Sequence, residues 1–382
     1  MSTWLRLPLA SRAIPGFGIA AVAAAILIGC SDATGTSGEL PENTDLSLEW
    51  PLAAPTGQGF DEARLAIAFN VARSQALLKS LLVLRNGYLV AEEYFADDDD
   101  SAVTNIHAVT TGFLSALVGI AIKEGHIANV DQSIGDFLVP GAVSVLDAAH
   151  RSITIRHLLT MTTGLQWQEG SSAENAGFIA SGYDELWRYA LSKPIAQPPG
   201  SRINYNSGAA SLLSVVLTHA TGIATLEYAR QKLLAPLGID SIGWVKDGDY
   251  WYGGSAMRMR PRDAAKLGVL YVNGGVSAGR SIVPADWISQ TLTPIAANGV
   301  PYNYGPVASM NYGFLWWIDR QPSRDAFFAW GFGGQFVYCV PSLKLVIVTT
   351  TDASALTYDT KGAVEKALLE LIIDRVIPAV TN

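Results

Sequence analysis

Asn105–Ile127 reads NIHAVTTGFLSALVGIAIKEGHI, and its spacing organises the rest of the chain around it. Leu114, Leu117, Val118, Ala121 and Ile122 recur at i, i+3, i+4, i+7 and i+8, which is one face of an α-helix. Gly125 supplies a left-handed stop after the last turn. Ala108, Thr111 and Ser115 are separated by three and four residues, so they line one side of the first turns.

Outward from this helix, SLLVLRNGYLVAEEYF (residues 80–95) predicts a hairpin, with Asn86-Gly87 able to adopt the positive φ angles of a two-residue turn. Its first arm is almost wholly apolar and predicts a central strand. FDEARLAIAFNVAR (60–73) has helical spacing. So do SITIRHLLTMTTGL (152–165) and SLLSVVLTHATGIATLEYARQKLLAPLGI (211–239), both with glycine stops. KPIAQPPGSRINYNSGAA is a loop leading into a helix. FFAWGFGGQFVYCVPSLKLVIVTTTD (327–352) predicts strands joined by tight turns, and GAVEKALLELIIDRVI (362–377) a closing helix stopped by Pro378. This order predicts an α/β fold: an antiparallel sheet flanked by helices from both chain ends, with a helical lobe inserted at about 125–245.

The chain has 382 residues, 49% hydrophobic and 16% charged, enough for a large core. A net charge of -8 argues against a nucleic-acid partner, which requires a basic face. Asp97–Asp100 lacks the spaced ligands and glycine of a calcium loop and predicts a solvated loop tip.

Residues 1–29 have the form of a signal peptide: Arg6 and Arg12 precede a short apolar core, GFGIAAVAAAILIG. Leu27-Ile28-Gly29-Cys30 resembles a bacterial lipobox, which implies lipidation of Cys30, a membrane partner through that lipid, and a location at the cell envelope. Residues 30–46, small and polar, then form a flexible tether to a domain spanning 47–382. With Cys30 lipidated, Cys339 has no partner and reads as a small apolar strand residue.

The five histidines show neither HxH nor HExxH spacing and there is no CxxC, so no metal is expected. The phosphate loop, the dinucleotide fingerprint and the G-x-S-x-G elbow are also missing, and no cofactor is expected.

SLLVLRNGYLVAEEYF, ITIRHLLTMTTGL, YNSG, LLAPLGI, GGSAMRMRPRDAAKLGVLYVNGGV, YGFLWW and WGFGGQF, in this order, resemble the serine β-lactamase and penicillin-binding-protein superfamily. Within it the chain is most similar to class C-type esterases and 6-aminohexanoate-dimer hydrolases. The resemblance implies a Ser-x-x-Lys pair opening the first helix, the serine attacking a carbonyl and the lysine taking its proton. It also implies a tyrosine that shares the proton work and a glycine-rich strand beside the acyl group. A serine hydroxyl is a poor nucleophile until a base activates it, and N–H groups must stabilise the oxyanion.

Where relatives read like IHSVTKS, this chain has Ile106-His107-Ala108-Val109-Thr110-Thr111-Gly112. Ala108 stands at the nucleophile position and Thr111 at the base position. None of the nine lysines has a serine or threonine three residues before it, so no Ser-x-x-Lys exists anywhere in the chain. Tyr205 aligns with the catalytic tyrosine. Ser207 stands where the superfamily prefers asparagine, and Gly333, Gly334 and Gln335 stand at the strand motif without its lysine; these four are the candidate substrate contacts. His157 lies in a helical run without an acidic partner and reads as structural. Ser115 lies roughly 10 Å along the helix from position 108, and Thr110 and Thr111 have no recognisable base beside them.

Three functions fit these residues: a pseudoenzyme whose pocket binds a peptide, ester or cell-wall fragment; an active esterase or amidase using a non-standard nucleophile; or a non-catalytic scaffold that recognises a protein.

Overall fold

The computed structural model describes residues 44–138 and 146–381. The signal segment, Cys30 and most of the expected tether lie outside the described residues. The end of that tether belongs to the fold: Leu46 is buried, its N–H donates to Ser277 Oγ, and Ala278 N–H donates to the Thr44 carbonyl.

Two strands open the sheet, β1 (Leu78–Arg85) and β2 (Tyr88–Tyr94), after helix α1 (Glu62–Arg73). Asp61 caps α1 by accepting from Arg64 N–H. The turn between β1 and β2 has Asn86 at φ 53° and Gly87 at φ 78°, the left-handed pair a tight hairpin requires. A short strand β3 (Thr104–His107) then feeds helix α2 (Thr110–Lys123).

The inserted lobe carries α3 (Ile155–Leu159), α4 (Ser172–Ser181), α5 (Leu186–Ser192), α6 (Ser207–Thr221) and α7 (Thr225–Ala229). Strands β4 (Gly243–Trp244) and β5 (Met257–Met259) join β3 in a small sheet of order β3-β5-β4. Helices α8 (Pro261–Val272) and α9 (Ala285–Thr291) lead back to the main sheet. Its remaining strands are β6 (Tyr302–Tyr304), β7 (Val307–Tyr312), β8 (Trp317–Gln321), β9 (Arg324–Gly331), β10 (Gln335–Val340) and β11 (Leu345–Thr351). Helix α10 (Lys361–Leu371) comes last.

All neighbours in the eight-stranded sheet, of order β6-β7-β8-β9-β10-β11-β1-β2, run antiparallel. β1 is central, paired on both sides, as its apolar run predicts.

Helix α8 lies on one face of the sheet. A Cβ on Gly268 would stand 2.7 Å from Val337 and 3.1 Å from the Cys339 sulfur, so only glycine permits this approach. Cys339 is fully buried in β10 and free. Helix α2 differs from the one-faced helix its spacing predicts: every residue from Thr110 to Ala121 is buried. Two glycines make this possible. A Cβ on Gly112 would meet the Trp316 ring at 3.3 Å, and one on Gly119 would meet the Trp287 ring at 2.3 Å.

Gly119→Ala is therefore expected to destabilise the protein by about 1–3 kcal/mol through overpacking. That outweighs the roughly 1 kcal/mol alanine gains over glycine in a helix interior. Urea unfolding would read it as a lower midpoint at unchanged slope; an unchanged midpoint would mean that Trp287 yields.

Candidate active site

The site forms where β3 ends beside the end of β9. Gly331 makes the approach possible, since a Cβ there would lie 2.4 Å from the Ile106 carbonyl and 3.0 Å from the His107 side chain. His107 holds a left-handed backbone, φ 48°, costly for a non-glycine residue. Its N–H donates to Asn105 Oδ1 at 2.9 Å, which pins the turn. Its ring faces Phe332 at 5.7 Å, and burial lowers its pKa, keeping the imidazole neutral. The turn ahead of α2 is tight, and at its end stands the Ala108 methyl.

The hydroxyls nearby are turned elsewhere. Thr111 Oγ1 donates back to the Ala108 carbonyl at 2.9 Å, and Thr111 is 3% exposed. Thr110 Oγ1 donates to the His107 carbonyl at 2.6 Å and accepts from Met257 N–H at 3.1 Å, tying α2 to β5. Ser115 is fully buried with no hydrogen-bond partner for its hydroxyl, and burial pushes the neighbouring Tyr271 phenol up to about 12.

Tyr205 stacks on Trp317, ring centroids 6.3 Å apart and planes 12° apart. Trp317 continues into Tyr312 and Trp330 at 4.5 and 5.5 Å, a largely buried aromatic cluster behind Tyr205. Burial drives the Tyr205 phenol well above its ordinary value, and the charges of Tyr312 and Glu169 push the same way. A tyrosine acting as base needs a cation beside it; this one is held protonated.

Ser207 begins α6, whose cap is Asn206 accepting from Ala209 N–H. Its Oγ donates to Glu169 Oε1 at 2.6 Å and its N–H to Glu169 Oε2 at 2.9 Å. The same carboxylate accepts from Trp167 Nε1 at 2.7 Å and from the Tyr358 hydroxyl at 3.2 Å. Tyr252 lies against Ser207, its phenol raised by burial and then by Glu169. Tyr358 rests on Gly170, where a Cβ would stand 2.1 Å from its ring, and on Phe332 at 5.0 Å. Thus Tyr205, Ser207, Tyr252, Tyr358 and Phe332 converge with Glu169 around the turn that carries Ala108. Sequence reasoning missed Glu169, Tyr252 and Tyr358, and no spacing in the chain marks them.

The glycine-rich segment is placed differently from a row of ligand contacts. Gly333 N–H donates to the buried Glu365 at 2.9 Å, and Cβ atoms on Gly333 and Gly334 would meet Ala353 at 2.7 Å and Leu368 at 2.5 Å. Gln335 is 1% exposed and clamps β10 to β11, accepting from Thr351 N–H at 3.0 Å and donating to Thr351 Oγ1 at 2.5 Å. In this segment it is Phe332 that faces the cleft. His157 closes a capping box with Thr154, a structural role.

An ultraviolet pH titration of wild type minus Tyr205→Phe is expected to show no phenolate absorbance up to pH 10.0, the ordinary tyrosine value. Phenolate near neutrality would restore Tyr205 as a base.

Known proteins share this architecture. The Beta-lactamase family model matches residues 70–369. An uncharacterized protein of Alkalihalophilus pseudofirmus is 24% identical over 326 residues, 74% of this chain and 87% of the relative. Esterase EstB of Burkholderia gladioli is 27% identical over 216 residues, 50% of this chain and 54% of the esterase. In three dimensions, a Bacillus anthracis protein assigned as a 6-aminohexanoate-dimer hydrolase superposes with TM-score 0.67 at 19% identity, covering 89% of this chain and 91% of its own. Together, the matched span, the antiparallel sheet with its helical lobe and the tight turn ahead of α2 place this chain in the beta-lactamase family, with the fold of its serine hydrolases.

Proposed function

We propose that this protein is a catalytically vacant member of its family that binds a peptide, ester or cell-wall fragment without forming an acyl-enzyme. In this reading it is held at the bacterial envelope by a lipid on Cys30. One observation carries the proposal: at the turn that should present a nucleophile, position 108 offers a methyl group and Thr111 returns its hydroxyl to the Ala108 carbonyl. The protonated Tyr205 supports it, since a phenol that has no cation beside it among the described residues can donate a hydrogen bond but not remove the proton of an attacking group. The part-exposed rings of Tyr205, Phe332 and Tyr358 near Glu169 support retention of a binding surface. Aromatic faces and a few convergent polar groups are the usual makings of a small-molecule site.

A second reading is favoured by one contact. Ser207 Oγ lies 2.6 Å from a carboxylate oxygen of Glu169, the arrangement of a hydroxyl beside a base. In that case Ser207 would attack the carbonyl, Glu169 would take its proton and return it to the leaving alkoxide, and water would release the acyl group. Against it, both oxygens of Glu169 are already engaged by four donors, and Ser207 is 6% exposed.

Hydrolysis of p-nitrophenyl butyrate separates these readings. The vacant-site reading predicts no turnover above a Tyr205→Phe control, and a gain of about tenfold or more for Ala108→Ser with Thr111→Lys, the low end of what a positioned base contributes. Wild-type turnover abolished by Ser207→Ala would replace it with the relocated nucleophile. For the anchor, Cys30→Ser is expected to release the protein from the membrane fraction of a bacterial host; unchanged membrane association would remove the lipid from the account.

A further inference from the structure

Glu169 is the one carboxylate in the cleft whose charge nothing balances among the described residues. Its four hydrogen bonds come from neutral groups: the Ser207 hydroxyl and N–H, the Trp167 indole and the Tyr358 phenol. These donors solvate the charge without cancelling it. Lys361, a cation beside Tyr358, is already paired with Glu365 at 2.9 and 3.0 Å while it lies over Trp330, Phe332 and Tyr358. His107 is neutral, and position 111, where relatives carry a lysine, is threonine. The tyrosines register the surplus: the negative field of Glu169 raises the phenols of Tyr205, Tyr252 and Tyr358.

Resting on the reading of this cleft as a binding site, we infer that its ligand carries a primary ammonium group on an apolar or aromatic body. The ammonium meets Glu169, and the body lies against the part-exposed rings of Tyr205 and Phe332. The place for the ammonium is the one Tyr358 now takes. At 3.2 Å its hydroxyl makes the longest of the four contacts, and Tyr358 is 45% exposed, so it can swing out as the ligand enters. Aromatic faces around the site add cation–π attraction. A ligand bearing a carboxylate meets the same field with the opposite sign and is excluded.

Three probes of matched shape test this: phenethylammonium, 2-phenylethanol and 3-phenylpropanoate, titrated at low salt against the full-length protein by ligand-observed NMR. The expected order is ammonium tightest, by about tenfold or more over the alcohol, as for one charge pair in a partly solvated site, and the carboxylate weakest. Glu169→Gln should bring the ammonium's affinity down to about that of the alcohol. The wild-type order stands as a test even if that variant folds poorly. Equal binding of all three probes, or preference for the carboxylate, overturns the inference. Alcohol binding weakened by Tyr205→Phe with no effect of charge would do so while leaving the cleft a binding site. Binding of none of the probes would count against both.

Discussion

The pairing of β1 with β11 is the constraint on which the molecule hangs. It runs from Leu78 opposite Thr351 to Arg85 opposite Leu345, so strands from the two ends of the domain lie side by side at the centre of one sheet. Ser80 and Thr350 share a buried hydroxyl contact of 2.6 Å within it. Between β2 and β6 the chain, including the whole helical lobe, makes a single excursion that leaves this sheet and returns to it. Such non-local pairing carries a large loop-closure cost that only a well-packed core can offset. The continuous buried rows of both strands and the close seat of α8 on Gly268 supply that packing.

The cleft lies at the seam this excursion creates. β3 and the start of α2 come from one side, Tyr205, Ser207 and Glu169 from the lobe, and Phe332 and Tyr358 from the far end of the chain. The turn ahead of α2 is held by the left-handed His107 and the glycine that lets β9 approach it. At its end stands Ala108, with Thr111 bonded to its own backbone and, nearby, the carboxylate of Glu169. If the site is vacant as proposed, the local charge and the missing hydroxyl belong to one change of chemistry rather than to two separate defects.

Much of the fold was legible in short-range signals. Asn86-Gly87, the glycine stops at positions 125, 222 and 238, and the apolar run of β1 each depend on a few neighbouring residues. That Ala108 and Thr111 lie one helical turn apart at the start of α2 was legible too, because a helix fixes its own three-residue spacing. What escaped depends on contacts across the chain. Glu169 reaches Ser207 over 38 positions and Tyr358 over 189, and no local pattern encodes either. Gln335 invited a ligand role because it stands in a glycine-rich turn, yet strand alternation and the neighbouring Thr351 turn it inward. The burial of α2 on all sides depends on Gly112 and Gly119, whose partners Trp316 and Trp287 come from far along the chain.

The most direct test is the intact mass of the purified protein after incubation with a fluorophosphonate, which marks any activated serine or threonine regardless of substrate. The vacant site predicts an unmodified mass for the parent and a single adduct for the Ala108→Ser, Thr111→Lys variant. A stoichiometric adduct on the parent, mapped to one residue, would contradict the account and name the nucleophile.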